Sequence, residues 1–382
     1  MGGMKLLKII CGTVCFLLFA TQVWSMSHWN EARGVYDDVC YLRQAHLFQR
    51  FGLAGLDTDI AHDDDGYLVG KLKEINYPPN DPPPCHTPMP ATKKLVMQYP
   101  PGTGFLLALF PEGHQVVSLF VSATTIMFGF ALLAIFYARS TAATLLATGL
   151  GCLALYIMIN PVKASYSMAP TMVVCVLAGL LTARLFAGAP RENRMALTLL
   201  LGLLLGFSVN FRLANLLLAV GYCLFLLFAF LGGRKPVIFL RGVGFGVAFL
   251  AGMSPTLVAN AVNAGSPFAT TYGGQDVAPP ALSLAIVWQY VADMQFVLLV
   301  LAAVSAGYFL RAEDSGVRRV ALIATVNLAV NLAFFLTHTA FTPYYTIPIA
   351  MLSLWSVAFA ALMRPTEAVD ESLVGQAANA RS

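Results

Sequence analysis

Gly34-Val35-Tyr36-Asp37-Asp38-Val39-Cys40-Tyr41-Leu42 places two adjacent carboxylates just after a hydrophobic span, residues 6–25, and that pairing sets how the rest of the chain is read. A helix needs about 20 apolar residues to cross about 30 Å of hydrocarbon. Further windows of this kind lie at 116–137, 142–159, 168–187, 195–209, 213–232, 237–260, 283–310, 320–337 and 343–363. The predicted fold is therefore all-α, a polytopic membrane protein of about ten transmembrane helices. Window 195–209 is short and 283–310 is long. The long one reads as an interfacial helix through Trp288 and Tyr290 running into a span that starts near Gln295, because Asp293 is costly deep in lipid.

Composition agrees. The chain is 58% hydrophobic and 11% charged, with a mean hydropathy of +0.71, too apolar for a soluble globule of this length. The net charge of +4 says little, because in membrane proteins the placement of Lys and Arg carries the information. No basic run is long enough for nucleic-acid binding. With the N-terminus cytoplasmic, Lys5, Lys8, Arg139, Arg184, Arg191, Arg194, Arg234, Lys235, Arg241, Arg311, Arg318, Arg319, Arg364 and Arg381 fall inside. Beyond the first loop only Lys163 and Arg212 fall outside. The positive-inside rule then makes residues 26–115 a large extracytoplasmic loop bearing juxtamembrane helices, in a cell-membrane protein with both termini cytoplasmic. Gln22-Val23-Trp24-Ser25 lacks a small-x-small cleavage pattern, so the first span reads as a retained anchor rather than a signal peptide.

Within the loop, Asp37 to Phe51 reads as an amphipathic helix with Cys40, Leu47 and Phe51 on one face and Arg43, Gln44 and Arg50 polar. The acid pair sits at its first turn, where an Asp cap and a catalytic acid are equally good readings. Asp57-Thr58-Asp59-Ile60-Ala61-His62-Asp63-Asp64-Asp65-Gly66 is a second acidic patch. It lacks the full spacing of a calcium loop, and a solvated turn is favoured. Tyr77 to Pro88 is proline-dense and predicts an extended strap rather than helix or sheet. It carries Cys85. Cys40 and Cys85 share the oxidising side while the other five cysteines fall in spans, which predicts a Cys40–Cys85 disulfide. Pro100-Pro101-Gly102 ends one element, and the apolar helix after it is too short to span, as a helix lying in the outer interface would be.

The polar exceptions in the later spans cluster on the outer side: Asn160-Pro161-Val162-Lys163, Asn210 to Asn215 with Arg212, Gly265 to Tyr272, and His338 with Pro343-Tyr344-Tyr345. A charge at a tight outer hairpin either snorkels or binds an anion. Residues 364–382 read as a disordered cytoplasmic tail after a membrane module spanning 1–363.

These segments resemble the GT-C superfamily of integral-membrane glycosyltransferases, which includes protein O-mannosyltransferases and the lipid A aminoarabinose transferase. Asp37-Asp38 with Tyr41 and Ala45 is similar to the family's first-loop acid motif, whose leading Asp is the catalytic base. Tyr99-Pro100-Pro101-Gly102 is similar to its membrane re-entry segment, and Arg212 with Asn215 to its Arg-Pro-Asn hairpin. Asn263 through Tyr272, including Ser266, is similar to its Gly-Ser-Pro-Phe loop, and Tyr344-Tyr345 with Pro348 to its late Arg-Tyr element. Here Asp38 stands for the commoner Glu, Leu213 for Pro, and Tyr344 for the late Arg.

The resemblance implies inverting transfer of a sugar from a polyprenyl-phosphate donor, taken from the lipid bilayer, to an extracytoplasmic lipid, glycan or protein acceptor. Asp37 would be the base, with Asp38 orienting it or helping to bind a divalent metal. Arg212 and Lys163 would hold the donor phosphate, with His338 or Lys163 standing in for the missing late arginine. Tyr99, Gly102, Ser266, Tyr272 and Tyr345 would line the substrate loop. The rival classes are a transporter or lipid flippase, and a non-catalytic scaffold of the same fold.

Overall fold

The structure, a computed structural model, describes residues 2–29, 31, 36–158, 165–188, 193–273, 279–338, 341 and 344–363, without the side chains of Tyr36 and Asp37. It is overwhelmingly helical. Six helices are long and apolar enough to cross a membrane. They are α1 (Gly2–Met26), α5 (Gln115–Tyr137), α6 (Thr141–Met158), α7 (Met168–Ala187), the run from a 3-10 segment (Leu213–Ala219) into α9 (Val220–Gly233), and α14 (Ser315–Thr337). Counting each of two bent pairs as one span makes eight.

One bent pair is α10 (Pro236–Gly252) with α11 (Ser254–Ala264), turned by 52°; the other is α12 (Leu284–Ala292) with α13 (Gln295–Phe309), turned by 85°. Window 237–260, read as one span, is thus broken. Pro255 in the first turn of α11 has no N–H to continue the ladder. The break in 283–310 falls where Asp293 predicts it. Its Oδ1 accepts from the Gln295 N–H at 3.0 Å at the start of α13, and Trp288 on α12 is 69% exposed. The remaining two windows are α8 (Arg194–Val209) and α15 (Ile347–Leu362), of 16 residues each. At 1.5 Å per residue each is about 24 Å long. That falls short of a full span, so the count of about ten stands at six to eight by length.

The centre of the bundle is α15 against α7. α15 is buried almost all round, including Trp355 and Phe359, as expected of an apolar helix that faces other helices rather than lipid. Gly179 of α7 lies against the Trp355 Cβ, where an added Cβ would meet it at 2.7 Å. α8 packs on α10 through Gly202 and Gly206, four residues apart, which face the carbonyls of Phe245 and Phe249. This is close small-residue packing of the kind that lets helices associate in lipid. By contrast α1, α9 and α10 expose Ile9, Phe228 and Val247.

The first loop packs onto one end of this bundle. It contains α2 (Tyr36–Phe51), a 3-10 turn (Gly52–Leu56), α3 (Tyr67–Glu74), strands β1 (His86–Met89) and β2 (Lys94–Met97), and α4 (Gly102–Ala108). Three expectations are corrected here. The proline strap ends in an antiparallel hairpin, β1 on β2, with Pro88 opposite Leu95. In a two-stranded sheet both strands are edges, so a proline is tolerated. The polar face of α2 is solvated only at its end, at Arg50, since Arg43 and Gln44 are buried under the acidic patch and α4. And α4 does not simply lie on a surface, since Thr103, Gly104 and Leu107 are buried and Gly104 abuts Gln44 of α2.

Candidate functional site

At the end of α8 the chain turns at Asn210, extends at Arg212 (φ −154°, ψ 132°), and enters the 3-10 segment. Asn210 anchors the turn. Its Nδ2 donates to the carbonyls of Phe207 (3.0 Å) and Gly252 (2.9 Å), and its Oδ1 accepts from the Thr256 N–H (2.9 Å) and hydroxyl (2.7 Å). Its carbonyl accepts from the Gly102 N–H at 2.7 Å. Position 102 must be glycine for this approach, because a Cβ there would sit 2.7 Å from that same oxygen. Asn215 closes the other side, donating to Thr171 Oγ1 (3.1 Å) and the Ser208 carbonyl (2.8 Å).

This frame carries Arg212 into the protein, where it is only 7% exposed. Its guanidinium carbon lies 4.4 Å from the centre of the Tyr344 ring and 4.3 Å from that of Tyr345. Nη1 reaches Met168 Sδ at 3.4 Å. Among the described residues no carboxylate pairs with it. Cation–π contact offsets part of the cost of burying the charge. A guanidinium nevertheless has five N–H donors, and it prefers a planar, bidentate acceptor such as carboxylate or phosphate.

Arg212 lines a cavity of about 270 Å³ together with Leu213, Leu217, Tyr272, Phe334, His338 and Tyr345, among others. Four residues chosen from sequence, Arg212, Tyr272, His338 and Tyr345, therefore meet in one cavity. Tyr344 supplies a ring to Arg212. From the cavity a run of aromatic contacts leads to α2: Tyr99 meets Tyr272 edge-on at 6.1 Å and stacks on Tyr41 at 4.9 Å. Tyr41 and Tyr272 are also close enough to act electrostatically on the guanidinium.

One turn before Tyr41, Asp38 is fully buried, and its Oδ1 accepts from the Tyr166 N–H at 3.4 Å. The Tyr166 hydroxyl donates in turn to the Glu31 carbonyl. Ser266 is exposed and does not line the cavity. The side chain of Asp37, the whole of 160–163 with Lys163, Pro343, and the tail 364–382 lie outside the described residues.

The first loop is held over this end by groups whose burial the sequence reading missed. Arg43 donates from Nε to Asp64 (2.9 Å), from Nη1 to the Thr58 carbonyl (3.0 Å) and from Nη2 to the Asp59 carbonyl (3.1 Å). Nη1 also stands 3.4 Å from His86 Nε2, while His86 Nδ1 is 2.7 Å from the Pro84 carbonyl. That carbonyl requires the proton on Nδ1, which leaves Nε2 to accept from Arg43. Burial, reinforced by Arg43, pushes His86 down to about 4, so the ring is neutral. Burial raises Asp57, but hydrogen bonds from Lys94 (2.6 Å), the Asp59 N–H and His62 outweigh it and hold it below its ordinary value.

Arg50 pairs with Asp63 and Asp65. The acidic patch is a turn solvated at Asp63 and Asp65, whose side chains are 76% and 69% exposed, and tied down at Asp57 and Asp64. Asp64 pairs with Arg43, Asp63 and Asp65 with Arg50, and Asp57 with Lys94 and His62, while Asp59 accepts from the Ala61 and Leu95 N–H groups; among the described residues no group of three or more His, Cys, Asp or Glu is placed to hold a metal.

Two further ties complete the frame. Cys40 and Cys85 are joined in a disulfide, with Cα atoms 6.6 Å apart. Asn263 Oδ1 accepts from the Thr58 N–H and hydroxyl, and its Nδ2 donates to the Leu56 carbonyl at 2.8 Å. Arg43 and Asn210 were visible in sequence only as one polar residue on a helix face and one Asn before an Arg. The partners that reveal their roles come from other elements, 15–43 residues away for Arg43 and as far as Gly252 and Thr256 for Asn210. Comparison with protein-family models, curated proteins and solved structures finds no match.

Proposed function

We propose that this protein is a membrane glycosyltransferase that moves a sugar from a polyprenyl-phosphate donor to a hydroxyl on an extracytoplasmic acceptor. In this reading all ten windows cross or enter the bilayer, and the end bearing the first loop faces outward, as the distribution of Lys and Arg requires. The observation that carries the proposal is Arg212, a buried cation with no carboxylate partner among the described residues, facing a cavity whose other walls are mostly apolar and aromatic. An anionic head joined to an apolar chain matches that lining. Asp37 takes the proton of the acceptor hydroxyl, whose oxygen attacks the anomeric carbon. The bond from that carbon to the phosphate oxygen breaks, and polyprenyl phosphate leaves with its charge held by Arg212. Asp38, fixed through Tyr166, orients the site, and the Tyr99–Tyr272 wall lies between the acids and the phosphate.

The test is donor saturation in wild type, Arg212→Lys and Arg212→Ala. A phosphate-binding arginine loses its fork as Lys and its charge as Ala. Apparent donor affinity should therefore fall by about tenfold and then further, at unchanged expression. Three superimposable curves would return Arg212 to an anchoring role. A flippase for the same anionic lipid is separated by Asp37→Asn, which stops transfer but leaves translocation untouched.

A further inference from the structure

The run from Leu213 to Gly233 is apolar along its length, yet its first seven residues are 3-10 helix. Runs of that form beyond three or four residues are uncommon, and mid-helix they mark hinges or strain. Changing from 3-10 to α geometry leaves backbone groups without their i−4 partners, and lipid offers no replacement. Here two side chains of α14 supply it. Asn327 Nδ2 donates to the Leu218 carbonyl at 3.0 Å and its Oδ1 accepts from the Gly221 N–H at 2.5 Å. Asn331 Nδ2 donates to the Leu217 carbonyl at 3.1 Å. Both are about 1% exposed. Gly221 makes room for this, since a Cβ there would lie 2.5 Å from Asn327 Oδ1.

Asn327, Asn331 and Phe334 follow one another at helical spacings of four and three on one stripe of α14, and His338 caps the end of the helix. Phe334 and His338 line the cavity, and so do Leu213, Leu216 and Leu217 of the 3-10 segment. The two asparagines therefore join the opposite walls just below the Arg212 site. Rewinding seven residues from about 2.0 to about 1.5 Å rise per residue would shorten the segment by roughly 3.5 Å. That would draw Arg212, its first flanking residue, away from Tyr344 and Tyr345.

We infer that Asn327 and Asn331 are positioning residues: they hold Leu213–Ala219 in its extended 3-10 form and thereby keep the Arg212 guanidinium at the wall of the cavity. This rests on Arg212 binding an anion. The test compares binding of farnesyl phosphate and of farnesol to the full chain in nanodiscs. A merely structural loss weakens both ligands, whereas a displaced guanidinium weakens only the phosphate. Wild type should prefer the phosphate by about tenfold or more, the scale of a charge-assisted pair. Asn331→Leu leaves the Leu217 carbonyl without its side-chain donor and so lowers the thermal midpoint, but it should reduce the phosphate preference several-fold while farnesol binding stays close to wild type. Gly221→Ala, which sets a methyl group against Asn327 Oδ1 and so disturbs the neighbouring Asn327–Gly221 bond, should lower the phosphate preference likewise. If both variants keep the wild-type preference while Arg212→Ala abolishes it, the anion site stands and the positioning role is wrong. If Arg212→Ala also keeps it, the anion reading itself fails and the inference falls with it.

Discussion

Arg212 shows how a single side chain can be chemically informative without an unusual motif around it. A charge at a hairpin can snorkel, but this one is turned inward between two tyrosine rings. The sequence could pose the choice between snorkelling and binding; it could not decide it, because Tyr344 and Tyr345 lie more than a hundred residues away in the chain. Gly102 is a second case. Its place after two prolines marked a stop, but the reason for glycine is the Asn210 carbonyl pressed against it. Gly102→Ala should lower the stability of the detergent-solubilised protein by about 1–3 kcal/mol, read by thermal unfolding, because either the hydrogen bond or the packing must yield. An unchanged midpoint would mean that the contact is not formed.

At the scale of elements, α2 and the hairpin behave as one unit tied by the disulfide and by Arg43. Cys40→Ala with Cys85→Ala should cost the first loop about 2–4 kcal/mol, with faster proteolysis between residues 57 and 97 as the readout.

The same unit should be acid-sensitive. His86 sits at about 4 when folded and near 6.5 otherwise, so the unfolded loop binds the extra proton. Stability is complete above about 6.5 and is lost as pH falls toward about 4, by at most about 3 kcal/mol. Asp57, also lowered on folding, acts in the same direction. Proteolysis of the loop should accelerate over that window, and His86→Gln should flatten the dependence. A profile unaffected by that change would assign the sensitivity elsewhere.

Of the helices of this loop, α2 and α4 were legible from periodicity and proline placement, whereas α3 and the 3-10 turn were not. The hairpin was not, since composition predicts an extended chain but not the strand it pairs with, and neither was the burial of Arg43, since two of its four acceptors are backbone carbonyls that a sequence does not mark.

At the scale of the whole molecule, every apolar window of the sequence contains helix, because membrane-length hydrophobicity is a local property. What was not legible is which helices fall short or bend: α8 and α15 end early, and α10 stops at the turn before Pro255. The orientation is a prediction in its own right. Reporter fusions should place Arg194 in the cytoplasm and Gly274 outside, and cytoplasmic activity at Gly274 would reverse the sidedness of the site. The most direct measurement is transfer from a lipid-linked sugar by Asp37→Asn protein, run beside donor binding by the same preparation. We predict that transfer is abolished while donor binding, held by Arg212, is retained; full transfer by Asp37→Asn would contradict a glycosyltransferase that uses this acid as its base.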